Sequence, residues 1–346
     1  MTTATPTPAN ANRQRILAMG NALVDILIPI PSQSLLSRYD LPKGTMTLVD
    51  KETANRILSE LNAEARRQST GGSAANTING LARLGIQTGY IGKVGADGLG
   101  SFFTTELAHN HIESFIFKGS HETGRAITLI SEDGERTFAT YLGAAVELSA
   151  ADLKPELFRG YGYFHIEGYL VQDHLLLQRA LELAREAGLT ISLDLASSNV
   201  VTANLEFLRS IIAEYVDIVF ANEEEATAFT GKAHPHDCLA DMSSTCRLAI
   251  VKQGKQGSLI HHENGRCQVQ SIEVDTVDTT GAGDLYAAGF LFGLVNGYSP
   301  EICGRIGSIL GGLVVEVLGA KLTSDQWRKA RERINKEISA SFLARG

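Results

Sequence analysis

The sequence is poor in cysteine, and its cysteines show no pattern typical of a functional site. The 346 residues contain four, with no Cys-x-x-Cys pair and no accompanying histidine cluster: Cys238, Cys246, Cys267 and Cys303. A disulfide framework and a zinc site are therefore not expected. Free thiols are usual in the reducing cytoplasm, so this composition predicts a cytoplasmic protein.

The sequence also lacks an excess of positive charge and a long hydrophobic run. Lysine and arginine number 31 against 39 aspartates and glutamates, which gives a net charge of -8. Nucleic-acid-binding proteins usually carry a basic patch, and acidity disfavours adhesion to anionic membranes. The most apolar late stretch, residues 309–318, contains Glu316 and is too short to span a bilayer. We therefore expect neither nucleic acid nor a membrane as a partner.

The chain divides into a short polar leader and a long remainder. Residues 1–14 are rich in Thr, Pro, Ala and Asn and lack the apolar core of a secretory signal, so we predict a disordered leader. At 346 residues the chain is long enough to bury a large core, in one large α/β domain or in two unequal ones.

From about residue 85, short runs rich in Ile, Val and Leu alternate with amphipathic helical segments. Such runs indicate strands buried on both faces of a mostly parallel sheet, and right-handed crossovers then give a doubly wound α/β fold sandwiched by helices. The predicted strands are 90–94, 163–166, 189–195, 217–220 and 248–252, and the clearest predicted helices are 174–187 and 205–213.

Two segments, at about 25–50 and 115–146, interrupt this alternation and resemble β-hairpins. In the second, Asp133-Gly134 lies between two alternating runs, which is a strong hairpin signal. These strands need a place to pack outside the parallel sheet. We therefore predict a small β-sheet that projects over a cleft as a lid.

The segment Asp278–Asp284 is the most informative of the chain. Gly281, Ala282 and Gly283 directly precede an apolar helical run, residues 285–295. Backbone N–H groups at a helix start can bind an anion, and Asp284 beside them can accept a proton from a hydroxyl. The alternative is a plain turn with an Asp that complements the helix dipole.

A second set of residues suits a ligand that carries hydroxyl groups. Gly71-Gly72 precedes a helix and allows close approach to the backbone, and Asn76 offers both a donor and an acceptor. Asp25 is a lone carboxylate in an apolar run, which is costly unless it is paired or faces a cleft. The alternatives are a glycine-rich helix entry with an exposed Asn76 and an ordinary Asp at the end of a strand.

A third set could border a nucleotide. Asn222 and Glu225, three apart at a helix start, can organise water around Mg²⁺, although acidic residues are common in any first helical turn. The loop with Lys252, Gly254 and Gly257 lacks the Gly-Lys-Ser/Thr ending of a Walker A motif, and by itself it is a hairpin turn.

In their order and spacing, these motifs resemble the ribokinase-like (PfkB) kinase family over residues 15–322. The matching residues are Asp25, Gly71-Gly72-x-x-x-Asn76, Asn222-x-x-Glu225 and Asp278–Asp284. The resemblance implies a doubly wound α/β domain with a β-sheet lid, which would occupy residues 15–346. It also implies transfer of the γ-phosphoryl of ATP to a primary hydroxyl of a sugar or nucleoside. Family members occur as monomers and as dimers joined through their lids.

The resemblance also implies a role for each matching residue. Asp284 would be the base, and Gly281, Ala282 and Gly283 would form the anion hole. The other implied roles are sugar-hydroxyl binding by Asp25, Gly71, Gly72 and Asn76, water-mediated Mg²⁺ binding by Asn222 and Glu225, and binding of a monovalent cation, usually K⁺, by Asp278 and Thr280. Lys252, in the nucleotide loop with Gly254 and Gly257, stands where many members have Thr or Ser.

Three segments are most similar to the adenosine kinase branch of the family: 19–25, 165–170 and 216–226. They imply that Tyr169 stacks on a purine, with Leu23 on the same wall, and that the acceptor is the 5′-hydroxyl of adenosine, which gives AMP. Plain core packing is the alternative for Tyr169.

Other readings stay open at this point. Within the family, the chain could be a ribose or fructose kinase or a kinase of another nucleoside. Outside it, the chain could be a catalytically silent sugar- or nucleoside-binding regulator, although such a binder has no need of the base Asp284. A nicotinamide-dependent dehydrogenase is disfavoured because the G-x-G-x-x-G fingerprint is missing.

Overall fold

The structure, a computed structural model, describes residues 14–30 and 32–343. The predicted leader therefore lies outside the described residues except for its last residue. The strands are β1 (Ile16–Met19), β2 (Leu23–Pro29), β3 (Met46–Leu48), β4 (Arg67–Gly71), β5 (Thr88–Val94), β6 (Glu113–Lys118), β7 (Thr123–Ile130), β8 (Arg136–Gly143), β9 (Tyr163–Glu167), β10 (Thr190–Asp194), β11 (Ile218–Asn222), β12 (Leu248–Lys252), β13 (Ser258–His262) and β14 (Gly265–Val269). The helices are α1 (Ser34–Arg38), α2 (Lys51–Glu60), α3 (Ser73–Arg83), α4 (Gly98–His109), α5 (His174–Glu186), α6 (Ser198–Ala203), α7 (Leu205–Tyr215), α8 (Glu223–Thr230), α9 (Pro235–Met242), α10 (Ala282–Val295), α11 (Pro300–Val314) and α12 (Ser324–Leu343).

The larger sheet has nine strands in the order β14-β13-β12-β11-β10-β9-β1-β5-β6. It is parallel from β12 to β6, and β13 and β14 add an antiparallel edge. In β11, Ile218 and Phe220 pack into one hydrophobic core while Val219 and Ala221 pack into the other. Because both faces of the sheet are buried, the sequences of the parallel strands are continuous apolar runs. The predicted fold class is confirmed.

The order of the large sheet reverses next to its first strand. β5 and β6 lie on one side of β1, and β9 to β12 continue on the other side. Open α/β sheets bind ligands at such a switch point, beyond the carboxyl ends of the strands. The topology therefore places the expected ligand cleft beyond the ends of β1, β9 and β10.

The smaller sheet has five strands in the order β3-β8-β7-β2-β4. β7 and β8 form the hairpin predicted around Asp133-Gly134, where Gly134 takes a left-handed φ of 82° and its N–H bonds to the oxygen of Ser131 at 2.9 Å. The second sheet is thus present, and its hairpin lies where the sequence indicates.

The predicted boundaries of the smaller sheet were wrong in three places. β4 belongs to it but lies outside both predicted segments, because its sequence Arg-Gln-Ser-Thr-Gly lacks an apolar alternation. β6 falls inside the second predicted segment but is the half-buried edge strand of the large sheet. β2 and β3 do not form a hairpin with each other, since α1 lies between them and β3 pairs with β8.

α10 is buried along most of its length and packs closely against α11. The contact depends on glycine: a methyl group on Gly289 would lie 2.7 Å from the backbone oxygen of Ile306. The first turn of α10, which carries Asp284, is therefore anchored in the core. In the described part of the chain, we find no helix with both the length and the apolarity to cross a bilayer.

Candidate active site

A cavity of about 900 Å³ lies between the carboxyl edge of the large sheet and one face of the small sheet. The cavity is lined from the large sheet by the last residues of three neighbouring strands, Asp194, Asn222 and Lys252. Asp25 on β2 and Phe138 on β8 line it from the small sheet. The cavity is thus at the switch point, where the topology predicts a ligand.

Asp284 lies in the first turn of α10, and its carboxylate is held by the first turn of α3. Its Oδ1 accepts a hydrogen bond from Oγ of Ser73 at 2.7 Å, and its Oδ2 accepts one from Nδ2 of Asn76 at 2.9 Å. Burial raises the pKa of Asp284 to about 6, although these two bonds oppose the shift. A carboxylate with this pKa is ionised at neutral pH and is still a usable base.

The backbone at the start of α10 offers free N–H donors. Ala282 donates its N–H to the oxygen of Thr279 at 3.2 Å, and Leu285 donates to Gly281 at 2.9 Å. Among the described residues, the N–H groups of Gly281, Gly283 and Asp284 have no acceptor. Of the three residues predicted for the anion hole, Gly281 and Gly283 have a free N–H and Ala282 does not, while the N–H of Asp284 is a free donor that was not predicted.

Gly281 is required at this position for two reasons. Its φ is 76°, in the left-handed region that favours glycine, and a side chain there would collide with Ala320. Gly283 serves a different purpose, since a methyl group on it would lie 3.1 Å from Nζ of Lys252. The two glycines thus leave room for a ligand and for a nearby ammonium group.

The residues predicted to hold hydroxyl groups come together at the cavity. Asp25, Gly72 and Asn76 line it, and Gly71 lies behind Asp25, whose carboxylate occupies the space that a side chain on Gly71 would need. Burial raises the pKa of Asp25 to about 7, opposed by the charge of Lys321. Oδ1 of Asn76 is buried and has no partner among the described residues. It is therefore available to accept a hydrogen bond from a ligand.

The cavity also has an apolar wall. Leu23 and the half-buried ring of Tyr169 line it, as the sequence predicts, and the hydroxyl of Tyr169 donates to the oxygen of Ala196 at 3.4 Å. Three further apolar side chains in the wall are exposed: Met46 by 48%, Leu48 by 52% and Val146 by 61%. Exposed apolar side chains around a concave surface are typical of a ligand site.

The predicted nucleotide residues divide into those that reach the cavity and one that does not. Asn222, Glu225, Lys252 and Gly254 line it. Asn222 and Glu225 also bond to each other, from Nδ2 to Oε1 at 2.8 Å and from the N–H of Glu225 to Oδ1 of Asn222 at 2.8 Å. Gly257 does not line the cavity: its φ of 89° and close approach to Val269 shape the β12–β13 connection instead.

Residues 46–327 match the model of a protein family described as "pfkB family carbohydrate kinase". The chain belongs to the pfkB family. A crystal structure of a probable sugar kinase from Rhizobium etli is similar, with a TM-score of 0.84 and 32% identity over 92% of this chain and 98% of that one. The adenosine kinase from Sinorhizobium meliloti has a TM-score of 0.83 and 33% identity over 92% of this chain and 99% of that one. Aminoimidazole riboside kinase from Salmonella typhimurium is 31% identical over 65% of this chain and 73% of its own length.

Membership in the pfkB family makes this chain a phosphotransferase for small molecules, and the family implies ATP as the phosphoryl donor, usually with Mg²⁺. The described residues contain no group of three or more His, Cys, Asp or Glu side chains arranged to hold a metal ion. Glu225 and Asn222 offer oxygen atoms at the cavity wall, which suits a magnesium ion that keeps its own waters.

Asp278 fits the expected monovalent cation poorly. Its Oδ1 accepts from the N–H of Thr280 at 2.9 Å, and its Oδ2 accepts from the N–H of Gly319 at 2.5 Å. The guanidinium of Arg136, from the small sheet, forms a buried ion pair with the same carboxylate. A cation bound to Asp278 would have to share the carboxylate with this guanidinium. Of the two residues predicted to bind the cation, Thr280 lines the cavity and Asp278 does not.

Two buried carboxylates near the site were missed in the sequence. Glu167, at the end of β9, accepts hydrogen bonds from the N–H and the side chain of Asn21, at 2.8 and 2.7 Å, and from the N–H of Ala74 at 2.9 Å. Burial raises its pKa to about 7. The other is Asp194, which pairs with Lys252 at 2.7 Å. Each stands in or directly after an apolar strand, the signal that did reveal Asp25.

Proposed function

We propose that the chain transfers the γ-phosphoryl group of ATP to the 5′-hydroxyl of adenosine. The observation that carries this proposal is the lining of the cavity, which combines a base at a helix N-terminus, hydroxyl-binding groups and an apolar wall with the ring of Tyr169. A nucleoside presents a primary hydroxyl, a ribose and an aromatic base, one for each of these surfaces. A simple sugar has nothing to place against the wall.

In the proposed reaction the acceptor ribose is held by Asp25 and by Oδ1 of Asn76. The carboxylate of Asp284 takes the proton of the acceptor hydroxyl as its oxygen forms a bond to the γ-phosphorus of ATP. The bond from that phosphorus to the β-phosphate oxygen breaks, and ADP leaves. The free N–H groups of Gly281, Gly283 and Asp284 stabilise the negative charge on the transferring group.

For Mg²⁺ we propose water-mediated binding at Asn222 and Glu225. The residue Glu225 is only 3% exposed, and burial raises the pKa of its carboxyl group to about 7. A bound Mg²⁺ would supply positive charge next to this group and favour its ionised form. When held there, Mg²⁺ would neutralise part of the negative charge of the phosphates.

The pKa of Asp284 predicts an acid limb in the pH profile. Because the base must be deprotonated, we expect kcat/KM to fall as the pH drops below about 6. The hydrogen bond from Ser73 stabilises the charged carboxylate, so Ser73→Ala should raise the pKa and move the acid limb to higher pH. Asp25 also titrates in this range but is not bonded to Ser73. An acid limb unchanged in Ser73→Ala would assign it to a group other than Asp284.

The identity of the acceptor is tested by ADP release with adenosine, inosine, ribose and fructose, together with the melting temperature in each. We expect turnover and stabilisation with adenosine, since a ligand of the native state stabilises by mass action. Tyr169→Ala should cost adenosine about 1–3 kcal/mol of binding free energy if the ring stacks on the base. Turnover with ribose or fructose but not with adenosine would contradict the acceptor and leave the kinase class intact.

The second candidate is a sugar kinase of the same family. It is favoured by the similarity to the probable sugar kinase from Rhizobium etli, at 32% identity. Asp25 and Asn76 would bind the hydroxyls of a hexose or pentose equally well. Under this alternative, Tyr169→Ala would leave the KM for the sugar unchanged.

A further inference from the structure

Lys252 is the one basic side chain among the described residues that line the cavity. The same wall carries five carboxylates: Asp25, Asp173, Asp194, Glu225 and Asp284. A nucleotide polyphosphate entering this cavity would meet a strongly negative surface. The position of the single ammonium group therefore determines where a charged side chain of this cavity can attract a phosphate.

The ammonium of Lys252 lies against the start of α10. Lys252 ends β12, and its Nζ would be 3.1 Å from a methyl group on Gly283, so a side chain at this position would crowd the ammonium. Asp194, which ends β10, accepts a hydrogen bond from Nζ at 2.7 Å. A lysine side chain is long and flexible, and this bond fixes it beside the free N–H groups of Gly281, Gly283 and Asp284.

The surroundings keep Lys252 protonated. Burial by itself would lower its pKa, but the carboxylates of Asp194, Glu225 and Asp284 outweigh burial and raise the pKa above its ordinary value. His165, which also lies near Lys252, has its pKa lowered to about 4 by burial and is neutral at neutral pH. The ammonium is therefore a permanent positive charge at the start of α10.

We propose that Lys252 is a catalytic residue that binds the transferring phosphoryl group, and that Asp194 is the positioning residue that holds its ammonium beside Gly283. The proposal rests on the proposed phosphoryl transfer and is independent of the acceptor. Lys252 stays protonated throughout: the acceptor oxygen bonds to the γ-phosphorus, the bond to the β-phosphate oxygen breaks, the proton passes to Asp284, and ADP leaves. The ammonium donates to the oxygens of the γ-phosphoryl as negative charge shifts between them.

The kinetic test compares Lys252→Met with Lys255→Met, an exposed lysine on the same loop that does not line the cavity. We expect Lys252→Met to lower kcat by about 10²–10³, the usual cost of removing one donor to transition-state charge. The KM of the acceptor should change little, and Lys255→Met should behave as wild type. Lys252→Arg keeps the charge and should retain more activity than Lys252→Met.

The binding test measures nucleotide affinity under conditions in which no phosphoryl group is transferred. AMP-PNP, a non-hydrolysable ATP analogue, and ADP are titrated with Mg²⁺ into each variant by calorimetry. We expect Lys252→Met to weaken AMP-PNP by at least about tenfold and ADP by less, because only AMP-PNP carries a γ-phosphoryl group. Equal losses for both nucleotides would place the ammonium on the α- or β-phosphate and overturn the proposal.

The role of Asp194 is tested by the alkaline limb of kcat. Asp194→Asn removes the nearest carboxylate, so the pKa of Lys252 should fall and the alkaline limb should move down by about 1–3 pH units. The double variant Asp194→Asn/Lys252→Arg should lose this shift, because arginine stays charged. An alkaline limb that does not move in Asp194→Asn would overturn the positioning role.

If Lys252→Met fails to fold, a double variant that removes the charge of both Lys252 and Asp194 replaces it. Lys252→Met leaves Asp194 buried without its cation, whereas Lys252→Met/Asp194→Asn buries no unpaired charge. If this folded double variant keeps wild-type kcat and AMP-PNP affinity, the ion pair has only a structural role and the proposal fails. Absence of phosphoryl transfer in the wild-type protein with every acceptor would instead refute the proposed function, while the difference between AMP-PNP and ADP affinity would still be measurable.

Discussion

Asp284→Asn should lower kcat by about 10²–10⁴ while leaving the fold intact. Asparagine has nearly the same shape and can still accept the hydrogen bond from Ser73, but it cannot take a proton from the acceptor hydroxyl. The loss should appear in kcat with little change in the KM for ATP, since the anion hole is formed by backbone N–H groups. Steady-state kinetics and the melting temperature of the variant measure the two effects.

Asp325→Asn is the matched control for this variant. Asp325 is also an aspartate in the first turn of a helix, α12, but it is exposed and distant from the cavity. If Asp284 only complemented the dipole of α10, both substitutions would have the same small effect on stability and none on kcat. A fully active Asp284→Asn enzyme would refute the assignment of Asp284 as the base.

Arg136→Leu should lower the free energy of unfolding by about 3–5 kcal/mol, the cost of breaking a buried ion pair by removing one partner. The side chains of Arg136 and Asp278 are only 7% and 3% exposed. Without the guanidinium, the carboxylate of Asp278 stays buried with two backbone donors and no counterion. Urea unfolding of the variant and the wild type gives the difference directly.

Two further variants make this prediction specific. Arg328→Leu removes an arginine from an exposed ion pair with Glu332, whose side chains are 62% and 65% exposed, and should change stability by less than about 1 kcal/mol. Arg136→Leu/Asp278→Asn removes both buried charges and should recover part of the loss. If Arg136→Leu were no worse than Arg328→Leu, the buried pair would contribute nothing to stability.

The large sheet and the start of α10 were predictable because their signals are local. Val219 and its neighbours form one continuous apolar run, and Gly281 and Gly283 stand next to Asp284 in the sequence. β4 was not predictable, because its residues are polar and it is a strand only through its pairing with β2. A strand of this kind depends on its partner and not on its own pattern.

Contacts between distant parts of the chain were equally hidden. The bonds from Ser73 and Asn76 to Asp284 join two helix starts that are far apart in sequence. The ion pair of Arg136 with Asp278 joins the small sheet to the turn before α10. Nothing in the local sequence of these side chains identifies the partner, so only the fold reveals it.

β1 of the large sheet leads directly into β2 of the small sheet through residues 20–22. Asp25 therefore belongs to the small sheet, whereas Asp284 begins α10, a helix that packs in the hydrophobic core and belongs to neither sheet. A rotation of one sheet against the other about this short link would change the separation of Asp25 and Asp284 and leave the contacts within each sheet unchanged. The angle between the sheets is thus a mechanical coordinate that sets how far an acceptor hydroxyl lies from its base.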